Sequence, residues 1–213
     1  MGWTENRADM RTLLDAGMVD RFREWNVIRH TMMVTKADLL YNEINEVMDS
    51  GMWPYCDDPT EVHQAFHLYI LRELTGRIPT SWDHILEIGA GYGAMAKVCR
   101  SMGYMKDYTI FDIPESVEVQ KHFLAHYDRM SWNPERFVLP ENTLGISFWA
   151  LSEIGEKDRS RYIEMLKACD TYLIAFQDEF DGVDNIAYFR EHLDGEMFDI
   201  KHLPGSYYMI GMK

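Results

Sequence analysis

Basic residues are scarce in this chain: 21 Lys and Arg stand against 35 Asp and Glu, a formal net charge of −14. Holding nucleic acid requires clustered Lys and Arg to neutralise phosphates, so no nucleic-acid partner is expected, and the same balance disfavours an anionic membrane surface. Long apolar runs are missing too. None approaches the ~18 residues that span a bilayer, and the opening Met1-Gly-Trp-Thr-Glu-Asn-Arg-Ala-Asp9 lacks the apolar core of a secretory signal, which gives a cytoplasmic location as the expectation. Cysteine is limited to Cys56, Cys99 and Cys169. Odd in number and scattered, they offer neither a disulfide framework nor a zinc spacing and read as reduced, mostly buried thiols. Internal repeats and low-complexity tracts are absent.

Core-forming material is plentiful. Hydrophobic residues make up 46% of the 213, with six Trp and ten Phe, which excludes a disordered or fibrous class and suits one compact domain with an appendage. The fifteen Met fit as flexible core filler.

The most informative stretch is His84-Ile-Leu-Glu-Ile-Gly-Ala-Gly-Tyr-Gly-Ala94. Ile85, Leu86 and Ile88 read as a buried parallel strand, while Gly89, Gly91 and Gly93 let the backbone turn sharply and lie against a ligand where a Cβ would intrude. A helix follows at once, and its unpaired first N–H groups and positive dipole end favour a polar or anionic cofactor group. Two cofactors fit. Gly89 to Ala94 satisfies the dinucleotide pattern G-x-G-x-x-G/A, with Asp112 near the ~20-residue offset of a ribose-binding acid. Glu87, Gly93 and the order of the surrounding elements favour the other.

Glu87-x-Gly-x-Gly-x-Gly93 followed by Tyr108-Thr-Ile-Phe-Asp112 resembles the first two motifs of class I S-adenosylmethionine (SAM) dependent methyltransferases. With Phe111-Asp-Ile-Pro-Glu115 and Ile146-Ser-Phe-Trp-Ala-Leu-Ser-Glu-Ile154, residues 84 to 213 are similar to sugar O-methyltransferases. The resemblance implies SAM as cofactor and S-adenosylhomocysteine (SAH) as product. It also implies that Glu87, Gly89, Ala90, Gly91, Tyr92 and Gly93 pass the methionine part, and that Asp112, followed by Ile113, serves the ribose. A carboxylate suits that role because it is acceptor-only and can serve two hydroxyls.

The expected fold is α/β: a Rossmann-like, doubly wound seven-stranded sheet with a C-terminal antiparallel hairpin, plus an N-terminal helical cap. Strands are expected near 84–88, 108–111, 136–139, 144–149, 171–176, 196–202 and 206–212. Leu203-Pro-Gly-Ser206 is too short for a helical crossover, so the last two strands pair antiparallel. Residues 1–80 form the cap and acceptor-binding region, and 81–213 the SAM-binding domain. Within the cap, one helix is expected over Lys36 to Met48, stopped by Ser50-Gly51. A Trp53-Pro-Tyr55 turn follows, then a helix capped by Thr60, running through Val62, Phe66, Tyr69 and Leu74 and closed by Gly76.

Ligands in open α/β sheets bind beyond the carboxyl ends of the strands. That places Asp112, Glu141 with Asn142, Trp149 and the Gln177 to Asp181 loop as candidates. The family pattern puts the third-strand exit at the adenine and the Trp149 to Glu153 stretch at cofactor and acceptor. Methyl transfer from a sulfonium needs alignment and removal of the acceptor proton, for which Glu153, Asp178 and His202 are the candidate bases. His63, Phe66, His67 and Tyr69 are the expected acceptor wall. His63 and His67 share a helix face but lack a third ligand, and Asp178, Glu179 and Asp181 read as a surface acidic loop before a magnesium site, so no metal is expected. Two alternatives stay open: a nicotinamide-dependent oxidoreductase, and a non-catalytic interaction protein on the same fold.

Overall fold

The computed structural model describes residues 11–21, 23, 24 and 59–213. The expected Lys36 to Met48 helix, the Trp53-Pro-Tyr55 turn and Cys56 lie outside the described residues. The strands are β1 (His84–Ile88), β2 (Asp107–Phe111), β3 (Met130–Trp132), β4 (Thr143–Phe148), β5 (Thr171–Gln177), β6 (Glu179–Phe180), β7 (Val183–Asp184), β8 (Glu196–Asp199) and β9 (Ser206–Met212). The helices are α1 (Pro59–Thr75), α2 (Ala94–Ser101), α3 (Pro114–Phe123), α4 (Ala150–Glu153), α5 (Glu156–Ala168) and α6 (Asn185–His192). Two compact units interleave along the chain: Trp82–Ala90, Lys106–Ile113 and Arg129–Lys213 form one, and Met1–Ser81, Gly91–Met105 and Pro114–Asp128 the other.

The first unit holds a seven-stranded sheet in the order β3-β2-β1-β4-β5-β9-β8. β1 pairs parallel with β2 and β4, β2 with β3, and β4 with β5. β1 lies between two neighbours and is buried throughout, which is why it reads as a mostly apolar run with His84 and Glu87 as the exceptions. β9 runs antiparallel to β5 and to β8, from Thr171↔Met212 to Gln177↔Ser206 on the β5 side. This is the Rossmann-like order with a terminal antiparallel hairpin that the sequence implies. Ile88, Ile174, Phe176 and Met209 from the sheet pack with Leu151, Ile163, Leu166 and Phe189 from α4, α5 and α6. Asp184 caps α6, its side chain accepting from the Ala187 N–H at 2.9 Å.

The third strand is a correction. No strand forms over 136–139; β3 is the three-residue Met130–Trp132, paired with β2 at Tyr108↔Met130 and Ile110↔Trp132. Phe137 and Leu139 pack onto a cluster of Leu86, Phe111 and Cys169, while Val138 is 87% exposed. A segment that packs alternate residues onto the sheet produces the same in-out alternation as a strand within it. Likewise, the expected 196–202 strand ends at Asp199, leaving His202 in the turn to β9.

In the second unit, Pro59 opens α1, where its fixed φ and missing N–H are harmless. Thr60, the expected cap, is instead the second residue of the helix, inside the first turn and 4% exposed. Gly76 closes the helix, its N–H donating to the Arg72 carbonyl at 2.7 Å. Lys97 Nζ on α2 reaches Glu61 Oε1 on α1 at 2.6 Å. Tyr92, Ala94 and Val119 form a further cluster with Leu14, Val19 and Phe123.

Candidate functional site

β1 delivers the chain into the glycine loop, where Gly89, Gly91 and Gly93 have φ of +77°, +59° and +96°. These are conformations that L side chains rarely adopt. The glycines differ in what surrounds them. A Cβ on Gly89 would overlap the Ala150 methyl at the start of α4, so this residue is glycine because the backbone rests on its neighbour. A Cβ on Gly91 would meet nothing within 4 Å among the described residues. Gln120 Nε2 donates to the Gly91 carbonyl at 3.0 Å, which fixes that peptide.

Two acids stand at the head of β1 and β2. Glu87 is fully buried and accepts from the Tyr108 hydroxyl at 2.6 Å. Burial pushes its carboxyl up to about 8, against the pull of the Tyr108 bond and helped by the Asp112 charge, so it holds its proton at pH 7 and can donate. Asp112 leaves the ladder immediately after β2. Its backbone is held from both sides by Asn133: the Asp112 N–H donates to Oδ1 at 3.0 Å and its carbonyl accepts from Nδ2 at 2.6 Å. Asp112 Oδ1 also accepts from the Ile113 N–H at 2.8 Å.

Glu141 and Asn142 do not join them. Asn142 Nδ2 donates to Asp83 Oδ2 at 2.9 Å and its carbonyl accepts from the Asp83 N–H at 3.0 Å, one residue before the His84↔Thr143 pair. Both residues therefore lie at the amino edge of the sheet, about 16 Å of strand from the glycine loop. With β3 ending at Trp132, the residue that follows the third strand is Asn133. The Asn133-Pro134 turn dipeptide was the available signal for it.

Trp149 follows β4 at φ 62°, ψ −33°, half-buried, with its N–H donating to the Ala175 carbonyl at 2.6 Å. Ser152 Oγ lies 2.7 Å from the Trp149 carbonyl and 2.8 Å from Gln177 Oε1. Behind them is Arg159 on α5, 2% exposed. Its guanidinium donates to the carbonyls of Ser152 (2.7 Å) and Ile154 (3.0 Å) and to Asn185 Oδ1 (2.9 Å), and lies 4.6 Å from the Tyr188 ring centroid. Asn185 Nδ2 in turn donates to the Gln177 carbonyl at 3.0 Å. One buried cation thus ties the exit of β4 to the exit of β5. Sequence reasoning missed Arg159 because Glu156-Lys-Asp-Arg-Ser-Arg161 reads as a solvated helix face.

The three candidate bases all fall at the carboxyl edge. Glu153 ends α4. Asp178 follows β5, its N–H donating to the Gly205 carbonyl at 2.8 Å and its Oδ1 accepting from the Glu179 N–H at 2.8 Å. His202 follows β8, which runs parallel to β5, and burial lowers its pKa to about 4. A neutral imidazole with so low a pKa is a weak proton acceptor at pH 7. In the second unit, His63, Phe66 and His67 lie together on α1 at 1%, 5% and 0% exposure, with the two imidazoles 4.3 Å apart, and Tyr69 is half-buried beside Phe66. Among the described residues no group of three His, Cys, Asp or Glu is placed to hold a metal ion, and no helix is long and apolar enough to cross a membrane.

No protein-family profile matches the chain, and no curated protein sequence does. Solved structures do. The methyltransferase domain of bacterial CtHen1 is 9% identical, covering 71% of this chain and 96% of that one, with a TM-score of 0.51. A SAM-dependent methyltransferase from Aquifex aeolicus is 14% identical over 79% of this chain and 96% of its own, at 0.50. PigF, solved with SAH, is 12% identical over 73% of this chain and 59% of its own, also at 0.50. At such identities the likeness is one of fold, and a fold shared this widely leaves substrate to be argued from the site.

Proposed function

We propose that this chain is a SAM-dependent methyltransferase that transfers a methyl group to a hydroxyl of a small molecule, with a sugar as the acceptor class. The observation that carries the reading is the loop: of its three glycines, the middle one, at φ +59°, is the one whose absent side chain would meet nothing within 4 Å among the described residues, between a strand that ends in Glu87-Ile88 and a helix start. That is the local arrangement a polar cofactor requires. Asp112, with its backbone held by Asn133, supplies a carboxylate one strand away, suited to two ribose hydroxyls.

SAM, when bound, supplies an electrophilic methyl on its sulfonium. The work left to the chain is to hold the acceptor oxygen in line and to take its proton, and positioning alone is worth up to ~7 to 11 kcal/mol. Of the three candidate bases, Glu153, Asp178 and His202, the last is weakened by burial, which lowers its imidazole pKa to about 4. His63, Phe66, His67 and Tyr69 remain the proposed acceptor wall, Tyr69 being the one with side-chain surface to offer. The sugar reading rests on the sequence resemblance over residues 84 to 213.

Calorimetry with SAM, SAH and NAD tests the proposal. SAM and SAH should bind and NAD should not, and Asp112→Ala should weaken SAH at least tenfold, the order expected for lost charge-assisted hydrogen bonds. NAD binding without any response to SAM or SAH would replace this reading with the oxidoreductase one.

A further inference from the structure

We infer that Asn133 is a positioning residue that aims the Asp112 carboxylate, and that it affects cofactor affinity only through Asp112. The inference rests on the SAM reading above. At the end of β2 the ladder stops, and the N–H and C=O of Asp112 need partners at an open edge. The Asn133 carboxamide satisfies both, donating from Nδ2 at 2.6 Å and accepting at Oδ1 at 3.0 Å. Two bonds from one planar group fix the rotation of both peptide planes flanking Asp112, and with them the direction in which its side chain leaves the backbone.

Asparagine suits the place on two further counts. Its backbone sits at φ 41°, in the left-handed region that Asn tolerates better than most residues. Its own N–H donates to the Ile110 carbonyl at 2.9 Å, so the clamp is anchored on the strand whose exit it controls. Alanine would remove both bonds and strain the turn; aspartate would keep the acceptor, lose the donor and set a second negative charge beside the first. Asn133 is itself exposed, so a direct contact with the cofactor is the competing explanation that an experiment must separate.

Asn133→Gly makes the separation, because glycine keeps the left-handed backbone and deletes only the clamp. In calorimetric titrations with SAH, Asn133→Gly should weaken binding about tenfold, the loss expected when one charge-assisted bond from Asp112 is no longer aimed at the cofactor. In an Asp112→Ala background the same change should have less than a twofold effect. Asn133→Asp, a near-isosteric second variant, should weaken SAH at least threefold, and thermal melts establish that each variant is folded. Wild-type affinity in either single variant overturns the inference, and so does an equal loss with and without Asp112, which would mark a direct contact or a general loosening of the loop. If the wild-type chain binds neither SAM nor SAH, the functional reading falls and the inference with it. Binding by wild type with no effect of Asn133 sinks the inference alone.

Discussion

The two ends of the sheet are finished in different ways. At the amino end, Lys106 Nζ bridges Asp83 Oδ1 at 2.7 Å and the Trp82 carbonyl at 2.9 Å, Arg129 takes Asp107 through two bonds of 2.9 Å, and Asn142 Nδ2 donates to the other Asp83 oxygen at 2.9 Å. Charge here is consumed by opposite charge at the surface, in pairs worth about 0 to 1 kcal/mol each. At the carboxyl end, Glu87 is held by a tyrosine hydroxyl, Asp112 by a carboxamide on its backbone, and Arg159 by two carbonyls and an amide. Neutral groups that fix direction have replaced counterions. The proposed ligand site would call for that arrangement, because its groups must point somewhere before a ligand arrives.

The sharpest way to break the contrast uses the glycine loop. Gly89→Ala adds a methyl that overlaps Ala150 at a left-handed φ, and should destabilise the protein by more than about 3 kcal/mol in thermal or denaturant melts. Gly91→Asn places a tolerant residue at φ +59°, where a Cβ meets nothing within 4 Å among the described residues, so its melting curve should stay near wild type while SAH affinity falls at least ~100-fold. A Gly91→Asn protein that binds SAH normally would detach the loop from the cofactor.

Glu87 gives the next largest effect. Its native carboxyl titrates at about 8 against an ordinary 4.5. As pH rises past 4.5 the unfolded chain releases that proton while the folded chain keeps it, so native stability falls across this window, by at most on the order of 5 kcal/mol. Glu87→Gln keeps an acceptor for Tyr108 and abolishes the titration. Its gain in melting temperature over wild type should be nil near pH 4 and grow to a plateau near pH 8. An equal gain at both ends would return this carboxyl to the ordinary range.

The smallest effects belong to the amino end. Asn142→Ala and Lys106→Ala should each cost no more than about 1 kcal/mol of stability and leave SAH affinity within twofold. A tenfold loss for Asn142→Ala would restore it to the binding edge and erase the distinction between the two ends.

The parts of this site that were legible in the sequence are those written in consecutive residues. Glu87 through Gly93 and Phe111-Asp112 carry a strand, a turn and an acid within a few positions, and the short Leu203 to Ser206 link forces the antiparallel hairpin. What was not legible depends on packing between distant segments. Phe137-Val-Leu139 alternates as a strand does, and only the burial of Phe137 and Leu139 against Leu86 and Phe111 shows that it packs onto the sheet; Met130-Ser-Trp132, the real strand, is too short to carry a pattern. That one displaced strand is why the residues expected after the third strand, Glu141 and Asn142, lie at the amino edge instead. Arg159 was invisible for a related reason: its neighbours are charged and exposed, and its own burial is created by α6 and the turn after β4.

Trp149 has a consequence for how this chain could change. A bulky residue at φ 62°, ψ −33° costs about 1 to 3 kcal/mol, and glycine would adopt the same turn without steric penalty. Trp149→Gly should therefore gain stability to the extent that the strain outweighs the packing of a half-buried indole. Selection for endurance alone would discard the ring. If the proposed cofactor role of Trp149 holds, a thermophilic descendant of this chain would keep the tryptophan only while that role was in use.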